Sequence, residues 1–137
     1  MSYLLDTNVV SETRKRQPEP KLMRWLEASG PDAHFVSALT VGEITKGIVQ
    51  RRRRDPAGAE QLARWLGGLR QLFVERILVV GDAEATRWGE LAGRAELPVV
   101  DALLAATALA HDLTLVTRNT RDFARTGVRL LNPWDAD

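Results

Sequence analysis

Four acidic residues draw attention by what surrounds them: Asp6 in "YLLDTN", Glu43 in "VSALTVGEITKGI", Asp101 in "PVVDALLAATALA" and Asp122 in "TRNTRDF". Carboxylates gathered within a few ångströms repel one another, and shifted pKa values alone relieve that poorly. A hard divalent cation relieves it well. Mg²⁺ or Mn²⁺ takes oxygen ligands, one or two carboxylates directly and others through water. An ion held in this way activates water and stabilises charge on a phosphoryl oxygen. The chemistry that such a quartet suggests is phosphodiester hydrolysis without a histidine or a covalent nucleophile.

The quartet acts together only if the fold delivers it to one place. Short β-type runs recur at 3–5, 34–37, 77–80, 114–117 and 128–131. Between them, helical spacing is read over 19–29, 38–52, 57–74, 83–96 and 102–111, with Asp82 as an N-cap and Asp101 opening the last of these. Strands alternating with helices predict a single α/β domain over residues 1–137, with a short, mostly parallel sheet of about five strands flanked by helices. In such a sheet, functional groups collect beyond the carboxyl ends of the strands. Asp6 follows "YLL" directly, Glu43 lies off the Val41/Ile44/Ile48 stripe of its helix, Asp101 sits at a helix start, and Asp122 follows "TLVT" by five residues.

Taken singly, each acid has an ordinary reading. Asp6 and Asp101 are good helix caps, Glu43 suits a solvated helix face, and Asp122 is unremarkable in a polar loop. Asp82 also follows a strand and is assigned only to capping. Position at a strand end is therefore a weak signal, and the case rests on the motifs in combination.

Composition narrows the classes. There is no cysteine, which excludes disulfides, thiolate metal sites and cysteine nucleophiles. No secretory signal is read at the N-terminus, and the apolar run "ALLAATALA" is far short of the ~20 residues of a membrane span, so a cytoplasmic protein without a membrane partner is expected. Net charge is only +1, although Arg51, Arg52, Arg53 and Arg54 form an unbroken run after Lys46, and Arg118, Arg121, Arg125 and Arg129 gather near the C-terminus. Arg51 and Arg52 suit phosphate contact, or simply the end of a helix, where cations are favoured. Arg118 and Arg121 stand closer to the acids in sequence. His34 and His111 flank their elements on the side away from Asp6, which disfavours a metal-free acid–base pair.

The segments "YLLDTNVVSE" at 3–12, "VSALTVGEITKGI" at 36–48, "PVVDALLAATALAHDLTLVTRNTRDF" at 98–123 and "LLNPW" at 130–134 resemble, in order and with fitting gaps, the PIN-domain toxins of the VapC type, particularly their FitB-like branch. The resemblance implies a Mg²⁺- or Mn²⁺-dependent endoribonuclease that leaves a 5′-phosphate and a 3′-hydroxyl and acts as the toxin of a toxin–antitoxin pair. Asp6, Glu43 and Asp101 fall on the family's three main acidic positions. At the fourth, where many relatives carry an acid, this chain has Asn119, and Asp122 is favoured as the fourth acid. Thr7, Asn8 and Thr117 match polar positions that brace the acids, and Glu12 fits a structural one. The implied partners are RNA, a cognate antitoxin docking on helices 19–29 or 57–74, and a second copy of the chain.

Other readings are weighed against this one. A haloacid-dehalogenase-like phosphatase needs an acid two residues after Asp6, where this chain has Asn8, and a receiver domain needs a late lysine that is missing. The remaining alternative is a catalytically weak PIN-fold module that acts mainly in an operator-DNA-binding complex with its antitoxin.

Overall fold

The computed structural model describes residues 1–135. The strands are β1 (Tyr3–Leu5), β2 (His34–Ser37), β3 (Ile77–Leu78), β4 (Thr114–Val116) and β5 (Leu130–Leu131). The helices are α1 (Thr7–Glu12), α2 (Pro20–Ser29), α3 (Ala38–Arg52), α4 (Pro56–Leu72), α5 (Asp82–Ala92) and α6 (Val99–Ala110), with 3₁₀ turns at Pro31–Ala33 and Thr120–Thr126. All five strands pair in parallel in the order β3-β2-β1-β4-β5.

β1 is central, with Leu5 in register with Val36 on one side and with Val116 on the other. Its neighbouring residues serve opposite faces, as the two-residue period of a strand requires. Leu5, Val36 and Val116 join Val9, Val10, Leu22, Ile44, Leu66 and Phe73 in one core. Leu4 and Leu115 join Leu91, Leu104, Ala105, Phe123 and Val128 in the other. A strand buried on both faces is an uninterrupted apolar run, as "YLL" nearly is.

The helices differ from the sequence reading at their ends, for identifiable reasons. α5 stops at Ala92 and α6 begins at Val99, so Pro98 is the residue before a helix and not merely the end of one. Asp101 is accordingly the third residue of α6 and does not open it. Asp82 is the first residue of α5; the cap is supplied by Glu84, whose Oε1 accepts from the Gly81 N–H at 2.7 Å. β3 and β5 are only two residues long. The six-residue α1 has no counterpart among the predicted helices. The α6 sequence is so rich in Ala and Leu that Ala102, Leu104, Ala105, Ala106 and Ala108 are all buried, and it packs closely against α5. No described helix is long and apolar enough to cross a membrane.

Candidate active site

The strand order reverses around β1: the chain builds β2 and β3 on one side, then returns to place β4 and β5 on the other. Beyond the carboxyl ends of β1 and β4 lies the crevice where open parallel sheets bind ligands. Asp6 leaves β1 at that point and Thr117 leaves β4. Thr117 Oγ1 donates to Asp6 Oδ2 at 2.8 Å, joining residues 111 positions apart.

Asp6 is the N-cap of α1, with its Oδ1 accepting from the Thr7 N–H at 2.7 Å. It thus fulfils the ordinary capping role and belongs to the crevice as well. Asn8 Nδ2 lies 3.4 Å from both Asp6 Oδ2 and Thr117 Oγ1, while its Oδ1 accepts from the Arg118 N–H. Thr117 Oγ1 also accepts from the Asn119 N–H at 3.0 Å. Thr7 Oγ1 donates to Glu43 Oε1 at 2.6 Å and pairs with Thr40 Oγ1 at 3.0 Å, tying α1 to α3. The small polar residues of "DTN" therefore hold two of the acids in place.

Electrostatics links the same residues. Burial pushes the Asp6 carboxyl above the usual range, the hydrogen bonds from Thr117 and Thr7 pull it back, and the charges of Glu43 and Asp101 push it up again. Only 8% of Asp6 is exposed. Asp101 is also raised, chiefly by burial and then by the charges of Asp122 and Glu43. Asp6, Glu43 and Asp101 thus lie within one another's fields, and Asp122 acts on Asp101. Asp101 and Asp122 line one cleft together, whereas Glu43 lines another beside Val100. Asn119 precedes the Thr120–Thr126 turn and lines neither cleft.

Among the described residues, no three acidic or histidine side chains are already grouped as a metal-holding cluster. The donor set nevertheless suits a hard dication: it is all oxygen, and its members repel one another. Mg²⁺ retains several waters and needs only one or two carboxylates directly, so a closed cage is not required.

The basic residues divide. Arg51 Nε donates to Asp55 Oδ2 at 3.2 Å, and Asp55 caps α4 through the Gly58 N–H. Arg52 is exposed at the end of α3. The Arg118 guanidinium lies over the Trp134 ring, 5.1 Å from its centroid, and Arg121 lines the cleft shared by Asp101 and Asp122.

The histidines are engaged elsewhere: His34 Nε2 is 2.7 Å from Ser29 Oγ and its ring stacks on Trp25, while His111 Nε2 is 3.0 Å from Glu84 Oε2. The His111–Glu84 pair was not anticipated; its members are 27 residues apart and carry no shared motif. Glu12 is buried, accepts from the Glu19 N–H and pairs with Lys15.

A separate groove of about 550 Å³, lined by Leu5, Val10, Met23, Leu26, Leu69 and Phe73 among others, runs between α2 and α4. None of the four acids borders it.

Comparison with known proteins agrees with this architecture. The chain is 32% identical over 138 residues to toxin FitB of Neisseria gonorrhoeae, covering 96% of this chain and 97% of that protein. It is 31% identical over 141 residues to the VapC ribonuclease Y4jK of Sinorhizobium fredii, covering 96% and 97% respectively. The solved structure of FitAB bound to an IR36 DNA fragment superposes with a TM-score of 0.87 at 29% identity, over 98% of this chain and 97% of that one. The family model for the PIN domain matches residues 3–129, and with strand order, crevice and sequence in agreement, the chain belongs to the PIN-domain family.

Proposed function

We propose that the protein is a divalent-metal-dependent endoribonuclease and the toxin of a toxin–antitoxin pair. The observation that carries the reading is the convergence of Asp6, Glu43 and Asp101, from separate parts of the chain, into one mutually repelling set near the switch point of the sheet, with Asp122 beside Asp101. A protein without use for a cation gains nothing from holding that set together. Kinship with a VapC ribonuclease and with toxin FitB supports the substrate and the role.

Asp6 and Asp101 would hold Mg²⁺ or Mn²⁺, with Glu43 and Asp122 acting through water. The bound ion would supply a more acidic water and stabilise charge on a phosphoryl oxygen. The chain's own residues do the positioning. Thr117 and the Thr7 N–H fix the two Asp6 oxygens, leaving that carboxylate a single orientation. Thr7 holds Glu43, an exposed and otherwise mobile side chain, toward the crevice. Asn8 bridges Asp6 and Thr117 and anchors the backbone at Arg118, so that the β1 and β4 ends keep their spacing.

The α2–α4 groove is apolar and is lined in part by the exposed Met23 and Leu72, which suits an amphipathic segment of an antitoxin. Solved toxin–antitoxin complexes among the structural neighbours support that partner. The reading as a complex-forming module with weak catalysis draws on the DNA-bound FitAB structure and is separated by the same experiment.

That experiment is cleavage of a structured RNA pool by the purified protein with Mg²⁺ or Mn²⁺ and with EDTA, beside an identically purified Asp6→Asn variant. Metal-dependent cutting that the variant lacks is expected. Equal cutting by both proteins would remove the support. If neither cuts, direct metal titration of the two proteins distinguishes a selective nuclease from a binding module.

A further inference from the structure

We propose that single-stranded RNA crosses the acidic set from one cleft into another, its backbone held by Lys46 on the α3 side and by Arg121 and Arg125 on the opposite side. The proposal rests on the nuclease reading above and specifies how the substrate lies on that site.

Two clefts adjoin the acids. One, of about 510 Å³, is bordered by Leu39, Gly42, Glu43, Lys46, Gln50 and Val100. The other, of about 340 Å³, is bordered by Glu96, Pro98, Asp101, Arg121, Asp122 and Arg125. Val100 and Asp101 are consecutive residues of α6, so the clefts meet across the first turn of that helix. The first cleft sets Lys46 beside Glu43; the second sets Arg121 and Arg125 beside Asp101, Asp122 and Glu96.

Those cations are not consumed by the carboxylates. Lys46 is one helical turn from Glu43, yet among the described residues it forms no ion pair. Arg121 and Arg125 form none with Asp101, Asp122 or Glu96. Glu43 accepts the Thr7 hydroxyl instead. Cations on both sides of an acidic centre, each open to solvent, suit a polyanion whose flanking phosphates they hold while one phosphate lies over the acids.

Two further features select a single strand. Asp6 is only 8% exposed and borders neither cleft, so a phosphate must dip inward to approach it, which a stiff duplex does poorly. On α3, a Cβ built at Gly42 or Gly47 meets nothing within 4 Å. Neither glycine is required by internal packing, and each weakens the helix relative to alanine. Their effect is a low floor beside Lys46, over which a nucleotide passes closely. Arg51 and Arg52 lie about 12–14 Å further along the helix axis than Glu43, and Arg51 is already engaged by Asp55. Lys46 is the nearer contact.

The test is fluorescence anisotropy with a short mixed-sequence single-stranded oligoribonucleotide and Mg²⁺, in an Asp101→Asn background that prevents cutting. Lys46→Ala and Arg121→Ala are each expected to weaken binding about three- to tenfold and to lower the salt slope by about 0.7. Lys46→Arg is expected to restore both, and Arg70→Ala, on exposed α4 surface, to leave them unchanged. Thermal midpoints confirm that the variants fold. If Lys46→Ala and Arg121→Ala bind like their parent, or no more weakly than Arg70→Ala, or if Lys46→Arg fails to restore binding, the path is wrong while the nuclease reading survives. If the parent and the wild type both bind no oligoribonucleotide, the path is overturned, while the nuclease reading is judged separately by the cleavage and metal-titration experiments above.

Discussion

Replacing Thr117 by valine preserves its shape and deletes its hydroxyl. That hydroxyl is completely buried, donates to Asp6 Oδ2 at 2.8 Å and accepts from the Asn119 N–H at 3.0 Å. A hydrogen bond to an ionised group contributes about 1.5–3 kcal/mol and a neutral one about 1 kcal/mol, with the buried methyl that replaces the oxygen returning part of the loss. The expected net destabilisation is about 2–3 kcal/mol, a fall in thermal midpoint of roughly 8–12 °C for a domain of this size. A double-mutant cycle with Asp6→Ala, measured by denaturant unfolding at neutral pH, isolates the bond between the two residues. Its coupling energy should be about 1.5–2 kcal/mol. The Thr117 bond is also the main force pulling the Asp6 pKa down. Without it the carboxyl holds its proton to higher pH, so the acid limb of kcat/KM should move to higher pH. A coupling energy below about 0.5 kcal/mol, or an acid limb that stays in place, would refute the view that Thr117 is there for Asp6.

Asp101 has a raised folded-state pKa, so it binds its proton more tightly when folded. It therefore favours folding below its unfolded pKa and loses that contribution as pH rises through the folded value. Asp101→Asn should consequently be more stable than the wild type at neutral pH, with the advantage shrinking as pH falls through the raised pKa; a variant less stable at neutral pH in a thermal-melt series would contradict this. Phe123 is 1% exposed and seats the Thr120–Thr126 turn in the second core. Phe123→Ala should cost about 3–5 kcal/mol and misplace Asp122, to be read from unfolding curves and from residual cleavage at a temperature where the variant is still folded.

How much of this was legible beforehand depends on the range of the interaction. The α/β class, the strand centres and the delivery of Asp6 to a strand end follow from local patterning, because β1 and β4 are buried runs and α3 is striped. Glu43 was legible as a residue off that stripe, and the family resemblance gave it a role. The helix ends were less clear where one residue serves two signals: Pro98 marks both the end of a helical pattern and the start of α6, and the Asp82 capping signal was overridden by Glu84 reaching back to Gly81. α1 escaped notice because six residues, two of them β-branched valines, carry too little periodicity. The His111–Glu84 pair and the Arg51–Asp55 pair depend on which elements become neighbours or on side-chain choice, and composition does not encode either. The Arg51–Arg54 run is uniform in sequence, yet Arg51 is engaged by Asp55, the residue that caps α4.

The central position of β1 has a consequence for the order of assembly. Both of its partners lie further along the chain, β2 about thirty residues later and β4 more than a hundred, and loop closure over such separations makes parallel sheets slow to form. During synthesis, Asp6 leaves the ribosome more than a hundred residues before Thr117 and Asp122. An interrupted nascent chain that ends before β4 has its first acid and its cap but no crevice. The crevice is therefore complete only after β4 and the Thr120–Thr126 turn have been synthesised and have returned to β1.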